Sequence, residues 1–205
     1  VQLSQYESTL QHLLSPAYCQ HNGTTVVVVH DSRLAVAVLA DRFYGSPSRA
    51  LTMIGITGTN GKTTISYLLS SVLDAAGIRS GLLGTVEYRI GAEQRPAPYT
   101  TPPAEYLHEL FAHMRDAGCK AVVMETSSHG LEQGRCQGIP FNVGVFLNLT
   151  QDHLDYHKTM SAYLEAKRIL FEQMAGEGRD GVAVINIDDP AGEKLAEEFR
   201  DRLKV

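Results

Sequence analysis

A lysine that follows a glycine at the mouth of a helix is suited to phosphate chemistry. Residues 54–64, Ile-Gly-Ile-Thr-Gly-Thr-Asn-Gly-Lys-Thr-Thr, read as strand, glycine-bearing turn and helix start. Glycines let backbone N–H groups wrap close to phosphate oxygens, and the helix N-terminus adds its partial positive charge. Lys62 is placed to reach terminal phosphates, and the Thr63 hydroxyl is a ligand type for Mg²⁺. The stretch departs from the strict Gly-x-x-x-x-Gly-Lys-Ser/Thr pattern, whose first glycine would fall on Ile56. A plain strand-to-helix turn that happens to hold two glycines is the alternative.

Three further signals carry chemistry. The run Val122-Val123-Met124-Glu125-Thr126-Ser127-Ser128-His129-Gly130 is a buried strand ending in a carboxylate. Ligands collect at the C-terminal strand ends of a parallel sheet, so Glu125 is expected beside the phosphate loop as a Mg²⁺ ligand or water orienter, or else as a simple loop cap. The run Asn148-Leu149-Thr150-Gln151-Asp152-His153-Leu154-Asp155-Tyr156-His157 holds two histidines four apart, a spacing that can bind zinc on a helix face or serve as hydrogen-bonded turns. Lys167 falls in the middle of an apolar stripe of Met160, Tyr163, Leu164, Leu170, Phe171 and Met174, which turns a charged group inward unless its stem snorkels to water.

These residues need strands and helices to hold them. Strands are expected at Thr52–Thr57, Ala121–Glu125, Asn142–Leu147 and Val182–Ile187. Helices are expected at Lys62–Ala76, closed by Gly77, at Pro102–Ala117, started by Thr101 and closed by Gly118, at Ser161–Ala175 and at Ala191–Leu203. The alternation implies an α/β class, a mostly parallel sheet with flanking helices. Upstream, a polar, helix-like stretch around Leu10, Leu13 and Leu14, then Asn22-Gly23, precedes a strand at Thr25–Val29. Asp31-Ser32 caps a helix with apolar positions Leu34, Val36, Val38, Leu39 and Phe43, stopped by Gly45 and Pro47. Ser46-Pro47-Ser48 reads as a linker, which places a domain boundary near residue 50.

Composition excludes several classes. With 205 residues, 43% hydrophobic and 20% charged, the chain is an ordinary globular sequence. A net charge of −5 gives no basic surface for nucleic acid. The three cysteines Cys19, Cys119 and Cys136 form neither a disulfide framework nor a zinc ribbon, and point to a reducing cytoplasm. Apolar runs such as Thr25–Val29 are far below the ~18 residues of a membrane span, and the N-terminus lacks a signal peptide. The opening Val-Gln-Leu-Ser, without an initiator methionine, suggests a fragment.

Taken together, Gly58-Thr59-Asn60-Gly61-Lys62-Thr63-Thr64, Thr100-Thr101-Pro102, Glu125-Thr126-Ser127-Ser128-His129-Gly130-Leu131 with Gln133 and Arg135, Asp152-His153-Leu154-Asp155-Tyr156-His157, Glu165-Ala166-Lys167 and Asn186-Ile187-Asp188-Asp189 occur in the order seen in Mur ligases. The chain resembles the E-type branch of that family from about Val26 to Val205. The resemblance implies an ATP-dependent amide-bond ligase of peptidoglycan precursor synthesis. Such an enzyme phosphorylates a carboxylate of UDP-N-acetylmuramoyl-L-alanyl-D-glutamate, and an amino acid then attacks the acyl phosphate.

The resemblance also assigns roles. Gly58, Thr59, Asn60, Gly61, Lys62, Thr63, Thr64 and Asn186 would hold ATP. Thr63 and Glu125 would serve one Mg²⁺, and His153 and a carbamylated Lys167 a second, with Lys62, Lys167 and His153 as the catalytic set. Thr100, Thr101, Ser127, Gln133 and Arg135 would hold the muramoyl peptide. Tyr99 departs from the polar amide that relatives often carry there. Family members have three domains, so residues 1–50 are expected to be the end of the N-terminal UDP-substrate-binding domain. Residues 51–205 would be a central ATP-binding domain cut short, inactive alone, from an enzyme monomeric at full length. The alternatives are a nucleotide-binding fragment without turnover, a folylpolyglutamate- or cyanophycin-synthetase-like ligase, and a metal-dependent hydrolase built on His153, Asp155 and His157.

Overall fold

A computed structural model of the chain describes the backbone of residues 14–21, 24–176 and 181–205, and the side chains of 27–176 and 181–205. Leu14–His21 (β1) and Thr24–Val29 (β2) form a two-stranded antiparallel sheet of their own. Leu14 is therefore in a strand rather than the expected helical stretch; Leu10, Leu13 and Asn22-Gly23 lie outside the described residues. Ser32–Phe43 (α1) follows, its N-cap Asp31 accepting from the N–H groups of Arg33 and Leu34 at 2.9 and 3.0 Å. Of the apolar positions expected on α1, Val38 is buried, Leu34 is half-buried and Val36, Leu39 and Phe43 are exposed. Ala37, Val38, Ala40 and Asp41 are buried, while Leu39 and Phe43 are 63% and 83% exposed. A narrow stripe of small residues lets α1 lie close on a second helix, and the larger apolar positions fall outside it.

A 3₁₀ turn, Pro47–Ala50, leads into Thr52–Thr57 (β3), and the chain then builds a seven-stranded sheet. Its other strands are Ser80–Leu83 (β4), Glu87–Ile90 (β5), Glu93–Pro96 (β6), Ala121–Glu125 (β7), Phe141–Phe146 (β8) and Val182–Ile185 (β9). The order is β6-β5-β4-β7-β3-β8-β9, parallel from β4 to β9, with β5 and β6 added antiparallel at one edge. The α/β class expected from sequence is the one observed. The strands missed in the sequence, β4 to β6, are four residues each, and β6 is Glu-Gln-Arg-Pro, with no apolar pattern to announce it.

Helix Lys62–Ala75 (α2) covers one face of the sheet. There Ile54, Ile56, Leu82, Val123 and Val145 form a core with Ile65, Leu69 and Leu73 of the helix. A second core holds Ala104–Asp116 (α3), Met160–Gly176 (α6) and Pro190–Phe199 (α7). Leu107, Leu110, Phe111, Leu170, Phe171 and Phe199 are fully buried there, each contributing roughly 1.5–3 kcal/mol by leaving water. Between β7 and α6 lie two short helices, Ser128–Glu132 (α4) and Leu154–His157 (α5).

Most element boundaries differ from the sequence reading by one or two residues, and those of α3 and α7 differ for identifiable reasons. α3 begins at Ala104, and Thr101 does not cap it, because its hydroxyl bonds the carbonyl of Glu125 at 2.9 Å. α7 begins at Pro190, capped by Asp189, and ends at Phe199. Leu203 lies beyond it, where Lys204 pairs in parallel with Val182.

Candidate active site

The sheet reverses its direction of growth at β3: the chain runs to one side for β4 and β7 and to the other for β8 and β9. A crevice opens at the carboxyl ends of strands around such a point. The register fixes what lines it, since Ile56 pairs with Glu125 on one flank and Thr57 with Phe146 on the other. Residues 58–61 therefore leave β3 with the end of β7 on one side and Leu147-Asn148 on the other.

The loop needs glycine at Gly58, which has φ +153° and where a Cβ would come 2.9 Å from that of Leu147. Gly58 thus takes the place of the glycine that the strict motif would put at Ile56. Asn148, which the sequence reading quoted without a role, holds the loop's shape. Its Oδ1 accepts from the N–H groups of Thr59 and Asn60 at 3.1 and 2.9 Å, and its Nδ2 donates to the Asn60 carbonyl at 3.1 Å. Thr59 is buried, and its Oγ1 accepts from Thr150 N–H at 3.0 Å and from the Tyr163 hydroxyl at 3.2 Å.

Lys62, Thr63 and Thr64 form the first turn of α2. The Lys62 amine donates to the carbonyls of Gly58 and Thr59 at 2.8 and 2.9 Å. Burial pushes its pKa down, against the opposing attraction of Glu125 and Asp152. Lys167 is 1% exposed, so the snorkelling alternative is overturned. Its amine donates to the same Gly58 carbonyl at 2.9 Å and lies 4.2 Å from the centre of the Tyr163 ring. Burial, then the neighbouring Lys62, lower its pKa to about 7, while Asp152 opposes the shift.

Glu125 is fully buried, and among the described residues no cation lies within ion-pair distance of it. Its Oε1 accepts from the N–H of Thr85 and its Oε2 from the Thr85 hydroxyl, each at 3.0 Å. Four lone-pair positions less two leave a carboxylate with capacity to ligate a cation. A buried carboxylate of that kind is a hard oxygen donor of the type that suits Mg²⁺, as is the hydroxyl of the half-buried Thr63.

The residues assigned to the muramoyl peptide form a wall on the β7 side. Thr100 Oγ1 lies 3.0 Å from Thr85 Oγ1. Thr101 Oγ1 accepts from Ser127 N–H at 2.9 Å and lies 3.0 Å from Ser127 Oγ. Gln133 Oε1 accepts from the Nε and Nη2 of Arg135 at 3.1 and 2.6 Å, and Arg135 Nη1 donates to the Thr101 carbonyl at 2.7 Å. Gln133 and Arg135 also line a cleft of about 380 Å³ whose opposite wall is Ser32, Arg33 and Val36 of α1.

The histidine pair does not make a zinc site. His157 is buried, with Nε2 2.9 Å from Ser128 Oγ and Nδ1 3.3 Å from Glu132. His153 is exposed at the N-cap of α5, its Nε2 3.6 Å from Asp152. Among the described residues no three His, Cys, Asp or Glu side chains gather as a metal cluster. Asn186 donates to the carbonyl of Leu147, the residue packed against Gly58, at 2.9 Å and accepts from Asp188 N–H at 3.1 Å. Thr85 and Asn148 are the functional candidates that sequence reasoning missed. Thr85 sits in an unrecognised strand connection, whereas Asn148 offered a signal, an amide just past a buried strand.

Residues 56–204 match the family model of the Mur ligase middle domain. The chain is 50% identical over 175 residues to the UDP-N-acetylmuramoyl-L-alanyl-D-glutamate–2,6-diaminopimelate ligase of Chlorobaculum tepidum, covering 85% of this chain and 34% of that protein. It is 51% identical over 171 residues to the ligase of the same name from Geobacillus thermodenitrificans, covering 82% and 35%. The chain thus spans about a third of the length of these curated relatives. A solved structure of a ligase of that name superposes with TM-score 0.69 at 33% identity, over 82% of this chain and 34% of the other. A folylpolyglutamate synthase of Mycobacterium tuberculosis complexed with ADP shares the fold, with TM-score 0.64 at 20% identity over 99% of this chain and 49% of that one. Loop, strand-end carboxylate, inward lysine and family match agree: the chain belongs to the Mur ligase middle-domain family.

Proposed function

We propose that this chain is the nucleotide-binding part of an ATP-dependent ligase of peptidoglycan precursor synthesis. The whole protein would join 2,6-diaminopimelate to UDP-N-acetylmuramoyl-L-alanyl-D-glutamate, the amino acid being read from the names of the relatives. The observation that carries this reading is the placement of the phosphate loop and the Thr100, Thr101, Ser127, Arg135 wall on either side of one buried carboxylate, Glu125. On this reading residues 1–50 belong to the domain that holds the UDP part, and residues 51–205 to the central domain. No helix among the described residues is long and apolar enough to cross a membrane. A cytoplasmic, monomeric enzyme is proposed.

Transfer of a phosphoryl group to a carboxylate brings two anions together, so charge neutralisation and in-line holding supply most of the rate. Gly58 to Thr64 cradle the triphosphate, and Lys62 leaves its two loop carbonyls to pair with the terminal phosphates. Thr63 and Glu125 would hold one Mg²⁺, with His153 and Lys167 at a second. Bound there, Mg²⁺ neutralises phosphate charge and orients the transferring group. Lys167 suits carbamylation because its buried amine, at a pKa of about 7, is substantially neutral near pH 7, the form that adds CO₂. The product is an anion whose oxygens are hard ligands. Arg135, anchored by Gln133 and the Thr101 carbonyl, holds the anionic end of the muramoyl peptide, while Thr100 and Ser127 line its uncharged polar groups. Asn186, at the end of β9, would meet the nucleoside end of ATP.

The test is an assay of the whole protein that carries this chain, with ATP, the muramoyl dipeptide and candidate diamino acids. Dipeptide-dependent ADP release with amide formation only from 2,6-diaminopimelate is the expected result. ADP release that is indifferent to the dipeptide would overturn the reading.

A further inference from the structure

Thr85 lies in the connection between β4 and β5, and it is exposed, so no core packing explains its geometry. Both of its donors are nonetheless committed to one carboxylate, the N–H to Glu125 Oε1 and the hydroxyl to Glu125 Oε2, each at 3.0 Å. Two bonds from one residue to two oxygens fix the plane of a carboxylate, not just its position. The preceding residue makes this approach possible, since a Cβ at Gly84 would lie 2.6 Å from Glu125 Oε1.

The same hydroxyl is 3.0 Å from Thr100 Oγ1, and a hydroxyl has a single proton. Thr85 gives its proton to the carboxylate, so in the Thr85–Thr100 bond Thr100 must be the donor. Its proton turned inward, Thr100 meets a ligand with lone pairs only. Next door, Thr101 directs its hydroxyl proton toward both the Glu125 carbonyl at 2.9 Å and Ser127 Oγ at 3.0 Å. The Thr100 hydroxyl therefore accepts from the substrate, which suits an amide N–H or hydroxyl group, and Arg135 is left to answer its negative charge.

We propose that Thr85 is a positioning residue for both partners of the reaction, fixing the Glu125 carboxylate toward the nucleotide's metal and fixing Thr100 as a hydrogen-bond acceptor toward the muramoyl peptide. This rests on the reading of Glu125 and Thr100 given under the proposed function. Residues that orient a metal ligand typically change metal affinity by about 10–100-fold when lost.

The experiment compares Thr85→Val, Thr85→Ser and Glu125→Gln in the whole protein, with a fluorescent ATP analogue titrated against Mg²⁺ and with kinetics in the muramoyl dipeptide. Thr85→Val keeps the N–H and the shape but removes the hydroxyl. It is expected to raise the Mg²⁺ concentration for half-maximal nucleotide binding about 10-fold and to raise KM for the dipeptide. Thr85→Ser should restore both to within about threefold of wild type. In a Thr100→Val background, Thr85→Val should raise KM no further, because its effect on the dipeptide passes through the Thr100 hydroxyl. A Thr85→Val protein with wild-type Mg²⁺ dependence, or a Thr85→Ser protein as impaired as Thr85→Val, overturns the proposal. Unchanged Mg²⁺ dependence in Glu125→Gln would instead overturn the reading of Glu125 as a metal ligand. Should Thr85→Val not fold, Thr85→Ala carries the same comparison.

Discussion

Lys62 and Lys167 donate to one and the same acceptor, the carbonyl oxygen of Gly58, at 2.8 and 2.9 Å. Two amines on a single carbonyl repel each other, and each lies in a poorly solvated place. Burial lowers the pKa of both, and at Lys167 the Lys62 charge adds to it. The arrangement concentrates cationic groups where a nucleotide's phosphates would enter, and gives one of them a reason to be neutral.

Lys62→Ala removes the charge that meets the terminal phosphates. The expected outcome is a loss of about 100-fold or more in phosphoryl transfer with the fold intact, read by turnover of the whole protein alongside a thermal melt. Near-wild-type turnover would refute the phosphate-loop assignment.

Lys167 makes stability depend on pH in a defined direction. The unfolded amine keeps its proton up to its ordinary 10.5, and the folded one releases it above about 7. Between those values the unfolded state binds more protons, so stability rises with pH across that window, and below about 7 the full penalty of burying the charge remains. Lys167→Met should remove this dependence. The check is the difference in Tm between wild type and variant from pH 6 to 10, which should shift in favour of wild type as pH rises.

Asn148→Ala removes three hydrogen bonds that shape residues 59 and 60. Because water reaches the exposed side of the loop, the expected loss is roughly 1–2 kcal/mol, together with weaker nucleotide binding. Asn148→Asp, which keeps the acceptor and loses the donor, should fall between wild type and alanine in both chemical denaturation and nucleotide titration.

Gly58→Ala forces a Cβ against Leu147 at a backbone angle that side chains rarely adopt. A cost of roughly 1–3 kcal/mol is expected, with nucleotide binding lost before global unfolding. Restored binding in a Gly58→Ala/Leu147→Gly double variant, which removes the Leu147 Cβ that the added methyl would meet, would show that the contact, rather than the angle, sets the cost.

The central strands β3 and β7 were legible in the sequence to the residue, and the inward face of Lys167 was legible from the 3/4 spacing of its neighbours. Both are properties of local pattern: a buried parallel strand is a short continuous apolar run, and a helix stripe repeats every turn. The strand-turn-helix run at 54–64 was legible for a similar reason, since Gly61-Lys62-Thr63 is contiguous in the chain.

What the sequence could not decide was which distant groups share an atom. The two donors of Thr85 reach a carboxylate 40 residues on, and the Asn148 side chain bonds N–H groups 88 and 89 residues before it. The zinc spacing of His153 and His157 failed because α5 is one turn long, with His153 at its left-handed N-cap, so one ring faces water and the other packs under α4. By itself the sequence determined the α/β class, the glycine-bearing turn that opens α2 and the inward lysine, because those depend on neighbours along the chain. The strand order that seats Glu125 and Asn148 on either side of Gly58, and the proton directions at Thr85 and Thr100, were decided only by the tertiary structure, because hydrogen bonds between strand ends depend on register and crossover, which no local pattern encodes.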